Sequence, residues 1–144
     1  MPRRPVPDVR MLGAVFLGGV IGVAARELLL LPFSDRSSTL ALTFGTMVVN
    51  VVGSFALGLV VGSLADRHPT ARVFLGTGVL GGFTTYSAFA VQTATLLSAA
   101  PVAGIALAAA SVILGLAAAG LGLRLTLRPR GETGGPSDEP EGAR

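Results

Sequence analysis

The longest uncharged stretch of the chain limits its fold more than any other feature. Residues 73–123 contain no Asp, Glu, Lys or Arg. A single helix of that length would far exceed a bilayer, because about 20 residues cross the hydrocarbon core. Pro101, preceded by Ser98, Ala99 and Ala100, divides the stretch. Proline disrupts a helix interior, so we predict two spans, over about 71–97 and 102–123.

Two earlier apolar stretches, about 11–31 and 40–65, complete a set of four predicted spans. Charged residues make up 13% of the chain, against roughly 25% in soluble domains. Each span must be a helix, since lipid offers backbone groups no hydrogen-bond partner. We therefore predict an all-α membrane protein with one transmembrane domain over residues 11–123. The polar segment 1–10 is expected to be irregular, and the polar tail 124–144 to be disordered.

The distribution of charge predicts the topology and excludes several functions. All basic residues are arginines, and most lie on the side shared by the N-terminus, the second loop and the C-terminus. This bias predicts a multi-pass protein of the cell membrane with both termini in the cytoplasm. The sequence contains no basic stripe of the kind that would indicate nucleic-acid binding. With no cysteine and one histidine, we expect no metal cluster, and the absence of a nucleophile–base pair argues against an enzyme.

The third span has a composition that is poorly suited to a continuous helix. Residues 76–89 read GTGVLGGFTTYSAF, and glycine and threonine are weak helix formers. A break inside the membrane would free carbonyl groups, which are hard oxygen ligands of the kind that bind Na⁺. The alternative is an unbroken Gly/Thr-rich helix that packs closely. Composition alone leaves both readings open.

Two polar residues in the other spans also have two readings each. Asn50 lies near the middle of an uncharged stretch, where a buried amide needs partners. It could line a pathway or join two helices. Arg26 lies near the end of the first span, where it could reach the headgroups or attract an anion to a vestibule. The neighbouring Glu27 would offset its field.

Three motifs occur in order along the first three spans. They are GGxxGxxxR at 18–26, GTxxxNxxGSFxxG at 45–58 and GxGxxGGFTTYSxF at 76–89. Together they resemble the Fluc/CrcB fluoride channel family over about residues 13–123. The resemblance implies an antiparallel dimer of the dual-topology type, with the third helix broken in mid-membrane and two narrow pores. It implies passive export of fluoride from the cytoplasm and a structural Na⁺ that is not transported.

The resemblance also implies roles for individual residues. Fluoride enters a narrow pore only if hydrogen-bond donors or the positive edges of aromatic rings replace its water. Carried over by position, the backbone carbonyls that hold Na⁺ belong to Gly81 and Thr84. Arg26 is placed in the vestibule. The fluoride path comprises Asn50, Tyr86, Ser87, Phe89 and, as a candidate on the fourth helix, Ser111.

The chain departs from the family pattern along its polar track. Tyr86 replaces the usual phenylalanine, Ala88 a threonine and Gln92 an expected glutamate, while Gly115 supplies no hydroxyl. The polar track of this chain is therefore predicted to have fewer hydroxyl groups than the family pattern. The arginine bias indicates one fixed orientation. We therefore hypothesise a heterodimer with an oppositely oriented homologous subunit, the alternative being an antiparallel homodimer with an inverted second copy.

Two other functions fit a chain of four short apolar helices. One is a non-conducting membrane protein that assembles with a homologous subunit. The other is a small multidrug-type exporter coupled to protons, which needs a carboxylate embedded in its first helix. Residues 11–25 contain none, and Glu27 adjoins an arginine. Fluoride conduction is the function that the sequence favours.

Overall fold

The computed structural model describes residues 8–34, 39–64 and 68–127, and every regular element within these ranges is helical. Most of the predicted disordered tail 124–144 and of the predicted irregular segment 1–10 lies outside the described residues, and the first residues of the tail, up to Thr126, belong to a helix. The elements are α1 (Val9–Ser34), α2 (Thr39–Leu64), α3 (Pro69–Arg72), a π-helical segment (Val73–Leu80), α4 (Gly81–Phe83), α5 (Tyr86–Ala99) and α6 (Pro101–Thr126).

The helices make four candidate membrane spans within the described residues. Each is long and apolar enough to cross a bilayer, and the four cover Val9–Phe33, Ala41–Leu64, Pro69–Ala99 and Pro101–Thr126. Most large apolar side chains on them are exposed, and Val49 is the buried apolar residue of the described part. So much exposed apolar surface suits lipid rather than water. The predicted fold class, an all-α membrane protein with four spans, is confirmed.

The third span consists of two helical arms. The first arm (residues 69–83) comprises α3, the π-helical segment and α4, and the second arm is α5. Between them Thr84 (φ −78°, ψ 151°) and Thr85 (φ −137°, ψ 111°) are extended. The predicted break is confirmed, although Gly81 and Gly82 remain helical. Threonine is β-branched and tolerates the extended conformation better than the helix, which explains why the chain breaks at the threonines.

Glycines bring the helices together at backbone distance. A Cβ built on Gly18 of α1 would lie 2.5 Å from the carbonyl oxygen of Phe74 in the first arm. A Cβ on Gly58 of α2 would overlap the carbonyl oxygen of Ala119 in α6. Such approach is how membrane helices gain van der Waals contact without a hydrophobic driving force. The result is two tight pairs, α1 with the first arm and α2 with α6.

Adding one methyl group at Gly22 tests the first of these contacts. Its Cβ would overlap the carbonyl oxygen of Val79 and lie 2.8 Å from the backbone nitrogen of Phe83. Gly22→Ala should lower the free energy of unfolding in detergent by about 1–3 kcal/mol, as overpacking does. Gly19→Ala is the matched control, because its Cβ meets no described atom within 4 Å. Equal stability of the two variants would contradict this packing.

Candidate functional site

Asn50 of α2 holds the peptide at the helix break from both sides. Its Oδ1 accepts a hydrogen bond of 2.8 Å from the backbone N–H of Thr85, and its Nδ2 donates one of 3.1 Å to the carbonyl of Thr85. The amide orientation follows, since the N–H can only donate and the carbonyl can only accept. Thr85 therefore pairs with α2 instead of with the carbonyl of Gly81, four residues earlier. Asn50 thus joins two helices by hydrogen bonds, one of the two roles expected for it. Its amide nitrogen has a second N–H that these bonds do not use.

Threonine hydroxyls form hydrogen bonds with backbone groups at the two helix ends that meet at the break. The Thr84 hydroxyl donates to the carbonyl of Leu80 at 2.9 Å. The Thr85 hydroxyl accepts from the backbone N–H of Ala88 at 3.2 Å, which caps the N-terminus of α5. A side-chain acceptor at this position satisfies one of the free N–H groups of a helix start. The same hydroxyl lies 3.3 Å from that of Ser87.

A cavity of about 280 Å³ opens beside the break. Its wall includes five of the predicted site residues, four from the third span and one from α2: Gly81, Thr84, Tyr86, Phe89 and Asn50. The rings of Tyr86 and Phe89 are neighbours, with centroids 6.1 Å apart and planes inclined by 48°. Tyr86 is 82% exposed. One subunit thus presents an amide, freed backbone and two rings around one space.

Ser87 and Ser111 lie outside this group. Ser87 is exposed on the first turn of α5 and does not line the cavity. Its hydroxyl lies 3.3 Å from that of Thr85, which does. The Ser111 hydroxyl on α6 is buried and has no hydrogen-bond partner within the described residues. Thr93 has a hydroxyl in the same condition. The predicted roles of Ser87 and Ser111 in the fluoride path stay predictions.

Arg26 contacts the end of the first arm. Its Nη1 donates to the carbonyl of Gly82 at 3.2 Å, while Nε and Nη2 bind a carboxylate oxygen of Glu27. The Arg26 side chain is 19% exposed and that of Glu27 is 64% exposed. Cations are stabilising at helix C-termini, where carbonyls lack partners and the dipole is negative. The predicted vestibule role of Arg26 is untested, and the contact seen here is with the backbone just before the break.

Gln92 makes a contact that sequence reasoning missed. Its Nε2 donates to the hydroxyl of Thr46 at 3.0 Å, and that hydroxyl donates to the carbonyl of Leu42. Thr46 is almost fully buried. A glutamate at position 92 would have no proton to give to Thr46 when ionised. The neutral amide therefore anchors the second arm to α2, and no motif in the sequence signals this pairing.

These features define a class of protein: a multi-pass membrane protein whose third span breaks beside a small cavity with both polar and apolar lining residues. The family described as "CrcB-like protein, Camphor Resistance (CrcB)" matches residues 13–123. The chain belongs to this family.

Relatives from several bacteria are similar to the chain over most of its length. "Fluoride-specific ion channel FluC 2" of Leifsonia xyli subsp. xyli is 48% identical over 124 residues, covering 81% of this chain and 83% of the relative. "Fluoride-specific ion channel FluC" of Hyphomonas neptunium is 43% identical over 119 residues, covering 79% and 93%. The protein of the same name from Thermotoga maritima is 35% identical over 120 residues, covering 77% and 90%.

Replacing Asn50 tests its hold on the break. Asn50→Leu leaves the N–H and carbonyl of Thr85 without this partner, and each unsatisfied buried group costs about 1–3 kcal/mol. We expect a fall of that size or more in the free energy of unfolding in detergent. Ser98→Ala, which removes an exposed hydroxyl bonded to its own helix, should change it by less than about 0.5 kcal/mol. Unchanged stability of Asn50→Leu would show that its two hydrogen bonds to the backbone of Thr85 do not stabilise the break.

Variants at Arg26 separate the carbonyl contact from the ion pair. Arg26→Met removes both, and a hydrogen bond from a charged donor contributes about 1.5–3 kcal/mol. Arg26→Lys keeps a charged donor and should recover part of that stability. Glu27→Gln removes the ion pair alone, and an exposed pair contributes about 0–1 kcal/mol. If Glu27→Gln destabilised the fold as much as Arg26→Met in unfolding measurements, the contact with Gly82 would not be the important one.

Proposed function

We propose that this chain is a subunit of a fluoride-specific ion channel that lets fluoride leave the cytoplasm passively and so reduces its toxicity. The observation that carries the proposal is the break at Thr84–Thr85, held by Asn50 and bordered by the cavity. Membership of the CrcB family and the names of the relatives support it.

The cavity has the chemistry that a small anion requires. Fluoride is strongly hydrated, so a narrow path must replace its water with donors. Asn50 has an amide N–H beyond the one given to Thr85. Tyr86 and Phe89 can turn their positive ring edges to an anion. Several weak contacts suit conduction better than one tight site.

The freed backbone at the break suits a sodium ion. Gly81 and Thr84 both line the cavity, and the N–H of Thr85, the usual helical partner of the Gly81 carbonyl, binds Asn50 instead. Backbone carbonyls are hard oxygen donors of the kind that replace the hydration shell of an alkali cation. Two carbonyls from one chain leave its coordination incomplete. We therefore place a structural Na⁺ between two chains, with Gly81 and Thr84 of each as ligands.

An antiparallel dimer in the cell membrane follows from the same proposal. Tyr86 is 82% exposed in the single chain, and a second subunit packed over the cavity would enclose the path. The arginine distribution favours both termini in the cytoplasm. The partner is then an inverted copy of this chain or an oppositely oriented homologous subunit, and the bias toward one orientation favours the homologous subunit.

Fluoride flux from liposomes tests the proposal directly. We expect purified protein, alone or with an oppositely oriented homologue, to release fluoride rapidly and chloride poorly, without proton coupling. The driving force on one charge is about 2.3 kcal/mol per 100 mV, so a potassium diffusion potential that is negative inside should accelerate the release. Protein-free liposomes are the control. Absence of flux from liposomes with the protein alone and from those with the protein and its homologue would refute conduction and favour a non-conducting assembly role. Proton-coupled flux would instead indicate an exporter.

A further inference from the structure

Ser54 lies one helical turn after Asn50 on α2 and lines the same cavity. Residues four apart share one face of a helix, so the two polar side chains point toward the same side of α2. Tyr86 and Phe89 line this cavity as well. Ser54 is half-buried, between the cavity and α6.

The Ser54 hydroxyl lacks a hydrogen bond that several other hydroxyls on these helices make. The usual pattern in membrane helices is a bond to the carbonyl of the preceding turn, and it is present at Thr46, Ser63, Thr95, Ser98 and Thr126. Apart from the backbone bonds of its helix, Ser54 makes no hydrogen bond within the described residues, so its hydroxyl has no partner there. Its proton is therefore available to a ligand in the cavity.

Gly115 of α6 lies opposite this hydroxyl. A Cβ built on Gly115 would have one described heavy atom within 4 Å, the Oγ of Ser54 at 3.4 Å. A side chain at position 115 would therefore lie in van der Waals contact with the Ser54 hydroxyl and could bring its own polar group to the same region. Gly115, which has no side chain, therefore faces the unbonded hydroxyl of Ser54 across the contact between α6 and α2.

We propose that Ser54 is a direct hydrogen-bond donor to fluoride in transit, working beside Asn50 and supplying from α2 a hydroxyl that Gly115 cannot supply from α6. The inference rests on the proposed function and assigns one more ligand to the same path. A hydroxyl donor favours fluoride over chloride, since the smaller anion makes the shorter and stronger bond. The competing explanation is that Ser54 is only a small residue that packs against Gly115.

Flux measurements on Ser54→Ala test the donor role. We expect fluoride flux to fall about tenfold or more, the effect of losing one hydrogen bond to a charged partner. The discrimination between fluoride and chloride should fall with it. Unfolding curves in detergent should match those of the unaltered protein, because the hydroxyl bonds to nothing within the described chain.

Two double variants distinguish a donor from a packing residue. Ser54→Ala/Gly115→Ser returns a hydroxyl to the same region from α6 and should recover flux and selectivity. Ser54→Ala/Gly115→Ala fills the space without a hydroxyl and should not. Recovery by both double variants, or full flux in Ser54→Ala alone, would overturn the inference and leave the proposed function intact. An unaltered protein without flux would instead overturn the proposed function, and this inference with it.

Discussion

The pairing of Asn50 with the peptide of Thr85 is the interaction on which the rest of the structure depends. A peptide outside any helix is costly in a membrane, because lipid cannot satisfy its N–H and carbonyl. Asn50 satisfies both groups of Thr85 from a neighbouring helix. Because this partner exists, the third span can break at all, and the break then orients the surrounding backbone and the aromatic rings of Tyr86 and Phe89 toward one cavity.

Each arm of the broken span is held by a different helix. The first arm packs on the glycines of α1, where backbones touch, and Arg26 binds the carbonyl of Gly82 near its end. The second arm is tied to α2 through Gln92 and Thr46. The break is thus fixed from both sides, and the cavity lies between two supported helix ends. Side chains around a site keep their geometry when the elements that carry them are held rigidly.

The four spans followed from apolar length, which acts locally along the chain. Gly/Thr content alone left the third helix either broken or continuous, and the resemblance to a channel family is what favoured the break. The break fell at the threonines rather than at Gly81 and Gly82, since capping and β-branching decided the position. The contacts of Arg26 with Gly82 and of Gln92 with Thr46 link distant residues and leave no pattern in one sequence. The proposed role of Ser54 could not be predicted from the sequence, because it depends on a hydroxyl that has no hydrogen-bond partner within the described fold.

The length of α5 has a consequence for how the protein enters the bilayer. Its 14 residues extend only about 21 Å at 1.5 Å per residue, less than the roughly 30 Å of hydrocarbon. Neither the translocation machinery nor lipid can therefore accept this half-helix as an independent segment. It must insert together with residues 69–83 as one span. The polar connection at Thr84–Thr85 therefore enters the bilayer as part of that span.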